Sequence, residues 1–429
     1  MITWIKSGQV IDPVKKTVRN LDLIIEQDKI AKVLPRGEFN GRSDQLRVID
    51  ASRKHVIPGL IDMHVHLREP GHEYKETIAT GGRAAVVGGY TSLACMPNTV
   101  PPNDCRSVTE FILEQAERAR LCRVYPVAAI TMGQKGDMLT EFGDLKAAGA
   151  VAVSDDGFPV VNSDLMRRAL EYARYHNLIV ISHSEDISLS QGGVMHEGFV
   201  STRVGLPGIP AASEEIVVFR ELSLAKLTGC PVHIAHVSTA GSVELIRIAK
   251  DEGVSVTVET APHYFSLNHE AVMGYNTNAK VAPPLRTSED VRAIRRGLAE
   301  GVIDVIATDH APHSTLEKEV EFDKAAFGMI GLETALPLTL GLVREGILGL
   351  EEAIRKLSFN AATILGIPGG RLEVGDQADL ALIDLEYEYV LKKEDIISKS
   401  KNSPFIGETV IGRNDLTMIG GEIVWRREA

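Results

Sequence analysis

The chain of 429 residues is predicted to be an α/β protein: a (β/α)8 TIM barrel with a small β-sandwich-like domain built from both termini. Three observations predict it. Eight short apolar runs alternate with helical patterns between residues 56 and 367. Five of those runs end in His or Asp, and a barrel of this kind carries its reactive groups at the carboxyl ends of its strands. Outside that span, at 1–55 and 368–429, the pattern changes to short alternating runs separated by turn residues.

The elements follow in order. Residues 3–6, 21–25 and 29–33 alternate apolar and polar, and the pattern returns at 379–384 and 417–425. Neither end has enough strands for a stable sheet alone, so the two are expected to share one. Residues 56–61 form a continuous apolar run and predict the first barrel strand. Strands are predicted at 89–98, 123–130, 150–156, 178–183, 231–236, 254–259 and 304–309. Helices are predicted at 107–120, 163–175, 213–227, 241–251 and 288–299.

The net charge of −12 and pI near 5.6 argue against a nucleic-acid or anionic-membrane surface. No run of about 18 apolar residues suggests a membrane span, and the first residues do not resemble a signal peptide. Cys95, Cys105, Cys122 and Cys230 are scattered without pairing and are expected to be reduced and mostly buried. These features predict a cytoplasmic enzyme acting on a small molecule.

The segment Asp62-Met63-His64-Val65-His66 is the most informative. Histidines two apart on a strand share a face and can offer two imidazole nitrogens to one metal ion. Asp156 ends strand four, His183 strand five, His236 strand six and Asp309 strand eight. Six such groups on one rim exceed a single tetrahedral site, so two zinc ions bridged by a carboxylate are expected, with one retained ion as the lesser case. Asp156 is the expected bridge; Asp155 would point to the opposite face of an extended strand. His233 is read as structural, His176 and His196 as surface residues, His310 as facing away, and His313 as reaching the substrate. Asp309 could also hold the proton taken from water and pass it to a leaving nitrogen.

Residues 58–71, Pro-Gly-Leu-Ile-Asp-Met-His-Val-His-Leu-Arg-Glu-Pro-Gly, resemble the signature of the cyclic amidohydrolases and, within them, the microbial type I dihydroorotase family. Further matches are Met96-Pro97-Asn98-Thr99, Ser154-Asp155-Asp156-Gly157, His236-Val237-Ser238-Thr239, Glu259-Thr260-Ala261-Pro262-His263, Thr308-Asp309-His310-Ala311-Pro312-His313 and the stretch 327–334. Many relatives carry a carboxylated lysine at strand four; residues 147–162 contain no lysine, so Asp156 would bridge.

The resemblance implies zinc-dependent, reversible hydrolysis of the ring amide of dihydroorotate to N-carbamoyl-L-aspartate in pyrimidine biosynthesis. It implies His64, His66 and Asp309 on one zinc, His183 and His236 on the other, and Asp156 shared. Arg68 and Asn98 would hold the substrate carboxylate, and His66, His313 and the backbone at Phe327 and Gly328 would line the rest of the substrate site. The chain departs from the family at Ala282, where Asn often precedes Pro-Pro-Leu-Arg, so one substrate hydrogen bond is in question. A homodimer and a complex with aspartate transcarbamoylase are both compatible with the resemblance. A hydantoinase or allantoinase would share the metals but more typically has the lysine and need not have the Arg68 and Asn98 pair. A silent structural partner of aspartate transcarbamoylase could dispense with the ligands, all of which are present.

Overall fold

The computed structural model describes residues 2–41 and 46–428. Eight parallel strands follow one another around a sheet: Leu60–Val65, Tyr90–Cys95, Arg123–Ala128, Ala152–Val153, Ile179–Ser182, Val232–Ile234, Val256–Thr260 and Val305–Ile306. The first strand meets the segment after the eighth through a Val65–His310 bridge, in which His66 N donates to His310 O over 2.9 Å, so the sheet closes into a barrel. Ile61, Met63, Ala94, Met96, Val127, Ile181, Ala235 and Val305 come from six strands or the residue just after them and pack with Leu365 from the helix Phe359–Leu365. Interdigitated side chains thus fill the barrel and leave the chemistry to its rim.

The helices lie where their periodicity predicts: Arg106–Ala119, Ser163–Tyr175, Ala212–Thr228, Ala240–Asp251 and Ser288–Ala299. Side-chain caps fix several starts. Thr239 accepts from Ser242 N, and Thr287 and Asp290 form a reciprocal capping box. The first of these caps, Thr239, lies three residues after His236.

Both termini build a single second sheet. Its order is Glu422–Arg426, Thr409–Ile419, Leu380–Val390, His55–Pro58, Ile2–Asp12, Thr17–Glu26 and Lys29–Pro35, with Leu46–Asp50 also paired to Ile2–Asp12. One expectation changes here. The apolar run 56–61 is not one strand: His55–Pro58 pairs with Ile2–Asp12 and Leu380–Val390, and the barrel strand starts only at Leu60. Gly59 separates them, and a Cβ there would lie 2.2 Å from Thr91 Oγ1. Both halves are apolar because both are buried, so periodicity cannot reveal the break. The cysteines are free, but only Cys95 and Cys230 are buried; Cys105 is exposed at a helix start and Cys122 is half-buried.

Candidate metal centre and substrate cavity

Six side chains meet at the carboxyl ends of five strands. Asp156 is central. Its Oδ1 lies 3.4 Å from His64 Nε2, 3.3 Å from His183 Nδ1 and 3.5 Å from His236 Nε2, and its Oδ2 lies 3.6 Å from His66 Nε2. The donors form two sets, His64–His66–Asp156 and Asp156–His183–His236, with Asp156 in both. Asp309 Oδ1 stands 3.0 Å from His66 Nε2 and 3.7 Å from His64 Nε2. Asp155 turns away, accepting from Ile130 N, Thr131 N and the Thr131 hydroxyl.

The donor set fits metal ions. His64 Nε2 is buried without a hydrogen-bond partner although it faces Asp156 and Asp309. His183 Nδ1 and His236 Nε2 approach to 2.9 Å, and both face the same carboxylate oxygen. Imidazole lone pairs converging around carboxylates make a borderline-metal donor set. Burial works against the Asp156 charge, but His64, His183 and His236 hold its carboxyl well below the usual range.

Backbone strain aims three of these groups. His236 (φ 34°), Asp309 (φ 48°) and Arg68 (φ 64°) all lie in the left-handed region, which non-glycine residues seldom occupy. A network behind His236 supports its turn. Glu214 accepts from Ser238 N (3.0 Å), Thr239 N (3.1 Å) and the Ser238 hydroxyl, and buried Arg286 lies against it at 3.7 Å. Asp62 ties strand one to strand eight by accepting from His64 N and Thr308 N, each over 3.1 Å, and burial pushes its carboxyl up to about 7.

Above the ligands opens a cavity of about 420 Å³. His66, Arg68, Asn98, Ala282, His313, Phe327 and Gly328 all line it, as do Asp156, His183, His236 and Asp309; His64 lies wholly buried beneath. Arg68 is 9% exposed, its Nε donating to Pro312 O over 3.2 Å and its Nη2 lying 3.3 Å from His313 Nε2. Among the described residues it has no carboxylate within ion-pair distance. Burial, then the charges of Arg68 and Lys75, depress the His313 pKa strongly and keep that ring neutral. Asn98 spans two ligands, with Oδ1 2.9 Å from His66 Nδ1 and Nδ2 donating to Asp156 Oδ2 over 3.4 Å. The Gly328 amide is engaged within the protein, donating to Lys280 O over 2.9 Å.

Several residues here escaped sequence reasoning. Glu259 is buried with Oε1 2.6 Å from His64 Nδ1 and Oε2 3.3 Å from His233 Nε2, so it orients a ligand from behind. Its place at the end of strand seven was the available signal. Glu185 Oε2 stands 2.9 Å from His183 Nε2 in the same relation. Lys75 Nζ lies 3.3 Å from His313 Nδ1 and 2.6 Å from Glu317. Asn402, from the C-terminal part, donates to Ala311 O (3.0 Å) and Gly328 O (3.1 Å) and accepts from His313 N (3.0 Å). One expectation is corrected. His196 is not a surface residue: it is 8% exposed in the short strand Met195–His196, with Nδ1 3.3 Å from Arg286. A two-residue strand in a loop has no periodicity to mark it as buried. His310 faces away as expected, its Nδ1 accepting from Gly331 N over 3.1 Å.

A family model described as "Dihydro-orotase-like" matches residues 53–242. Similar over nearly the whole length are a protein named dihydroorotase from Syntrophus aciditrophicus (strain SB), 52% identical over 99% of each chain, and one from Syntrophobacter fumaroxidans (strain DSM 10017 / MPOB), 54% identical over 98% of this chain and 96% of that one. The chain belongs to the dihydroorotase family. Among solved structures, the L-hydantoinase (dihydropyrimidinase) from Arthrobacter aurescens superposes with a TM-score of 0.89 at 27% identity, covering 99% of this chain and 96% of that one. The barrel, the clusters able to hold metal and the membership agree on a metal-dependent cyclic amide hydrolase. Among the described residues no helix is long and apolar enough to cross a membrane.

Proposed function

We propose that the protein is a dihydroorotase acting at this cavity, with two zinc ions held by His64, His66 and Asp309 on one side, His183 and His236 on the other, and Asp156 between them. The observation that carries the reading is two donor sets sharing one carboxylate beside a buried Arg68 that has no ion-pair partner among the described residues. When bound, the ions would supply Lewis acidity for the ring carbonyl and bring the pKa of water toward neutrality. The protein's own groups do the rest. Arg68 offers a planar guanidinium to the substrate carboxylate. Neutral His313 stands beside it as a hydrogen-bonding partner. Asp309, at hydrogen-bond distance from His66, takes the proton released from water and returns it to the ring nitrogen as the amide bond breaks. Asn98 and Glu259 keep His66 and His64 in orientation.

Assay of purified protein on dihydroorotate, hydantoin and allantoin, with metal analysis of the same sample, tests the reading. Turnover of dihydroorotate far above the other two is expected, with up to two zinc ions per chain. Preference for a substrate lacking the carboxylate would overturn it.

A further inference from the structure

Two lysines lie under the cavity wall, and neither forms an ion pair among the described residues. Lys280 is 2% exposed and Lys318 is 3% exposed. Lys318 Nζ donates to Ala326 O over 2.8 Å, to Gly328 O over 3.0 Å and to Lys280 O over 3.4 Å. Lys280 Nζ donates to Phe322 O over 2.8 Å and Asp323 O over 3.0 Å, and stands 4.4 Å from the centre of the Phe327 ring. The backbone continues the same joint, since Gly328 N donates to Lys280 O over 2.9 Å.

These contacts join two separate stretches of cavity wall. One carries Ala282, two residues after Lys280; the other carries Phe327 and Gly328. Burying an ammonium without a carboxylate is costly unless all its protons find acceptors. Here the acceptors are backbone carbonyls, all but Lys280 O from a loop that has little regular structure of its own between residues 319 and 334. Burial depresses the pKa of Lys318 to about 7 and of Lys280 to about 8, as expected for charges held by neutral dipoles.

We infer that Lys280 and Lys318 are positioning residues for the substrate cavity, holding the Phe327–Gly328 stretch in register with Ala282, His313 and Arg68. The inference rests on the reading of that cavity as the place where the substrate binds. Without Lys318, the carbonyls of Ala326 and Gly328 lose a buried donor, and the loop relies on its Lys280 and Asn402 contacts to hold it against the wall.

The test uses metal-loaded, full-length protein carrying Lys318→Met. KM for dihydroorotate should rise at least about tenfold with kcat within about threefold and zinc content unchanged, because only the binding wall is disturbed. Hydrogen exchange of the Gly328 amide should speed up while amides of the barrel strands hold their rates. Lys280→Met should act in the same direction. An unchanged KM with a protected Gly328 amide would overturn the inference, as would a joint fall in kcat and zinc content, which would make the lysines general supports of the fold. Should both variants fail to fold, the unaltered protein still decides: its Gly328 amide must exchange as slowly as the barrel core, and fast exchange refutes the joint. The exchange measurement needs no substrate. Failure of the dihydroorotase reading would instead appear as inactivity of the unaltered protein on dihydroorotate.

Discussion

Arg68→Met is the most discriminating substitution. The guanidinium is buried, bonds only to Pro312 O and the His313 ring edge, and has no carboxylate within ion-pair distance among the described residues. Burial lowers its pKa, which shows the cost of holding this charge away from water. Such a charge is compensated when an anionic ligand arrives. Methionine fills similar volume but removes that partner, leaving a bound carboxylate buried and unpaired. The expected loss is roughly 2–5 kcal/mol in kcat/KM, or about 30- to 5,000-fold, for dihydroorotate. Dihydrouracil, which lacks the carboxylate, should lose far less. Folding stability should hold or rise, because an unpaired buried charge has been removed. Steady-state kinetics on both substrates, with a melting curve on the same sample, make the test. Equal losses on the two substrates, or a melting temperature that falls with activity, would show that Arg68 supports the fold rather than the carboxylate.

Asp309→Asn keeps the side chain's size but removes its basic oxygen, so kcat should fall at least about 10²-fold at full metal content and the acid limb of the pH–rate profile should change; normal turnover at full metal would remove Asp309 from the chemistry. Glu259→Gln should weaken metal retention about 10- to 100-fold in chelator competition, because the partner 2.6 Å behind His64 loses its charge. Ala282→Asn should lower KM by less than about tenfold, under roughly 1.4 kcal/mol, if other groups already satisfy the carboxylate; a larger gain would show an unfilled bond at this position. His196 carries a pH signature: burial, then Arg286, depress its pKa from 6.5 to about 4, so the unfolded chain takes up a proton that the folded one refuses as pH falls through this window. Stability should drop between pH 6.5 and 4, by roughly 2 kcal/mol from this group at pH 5, and His196→Gln should flatten that part of the denaturation profile against the parent.

The barrel was legible because each strand is a short apolar run closed by a turn or a polar group, and because several helices of 12 to 14 residues between them keep a clear amphipathic or capped pattern. The candidate ligands could be picked out for the same reason: they stand at strand ends, where alternation assigns a face, and the choice of Asp156 over Asp155 as the residue facing His64, His183 and His236 follows from it. What stayed hidden depends on contacts between distant residues. The break at Gly59 is masked because both flanking runs are buried in different sheets. Lys75, Lys280 and Lys318 look like ordinary charged residues along the chain; only the fold shows that they are buried and what they hold. His196 looked exposed because nothing local marks the bury of an isolated short strand. Asn402 lies some ninety residues beyond the loop it pins.

The position of Asn402 has a consequence for how the protein comes into being on the ribosome. Synthesis runs from the amino end, so every barrel strand and every metal ligand has been made well before residue 402 emerges. A nascent chain can therefore assemble its ligands while the His313 and Gly328 segments still lack the side chain that joins them. The sheet partner of His55–Pro58, strand Leu380–Val390, also arrives late. Fastening of the cavity wall is thereby tied to completion of the polypeptide: a chain cut after residue 367 keeps every candidate ligand in its sequence but lacks both Asn402 and three of the eight strands of its terminal sheet.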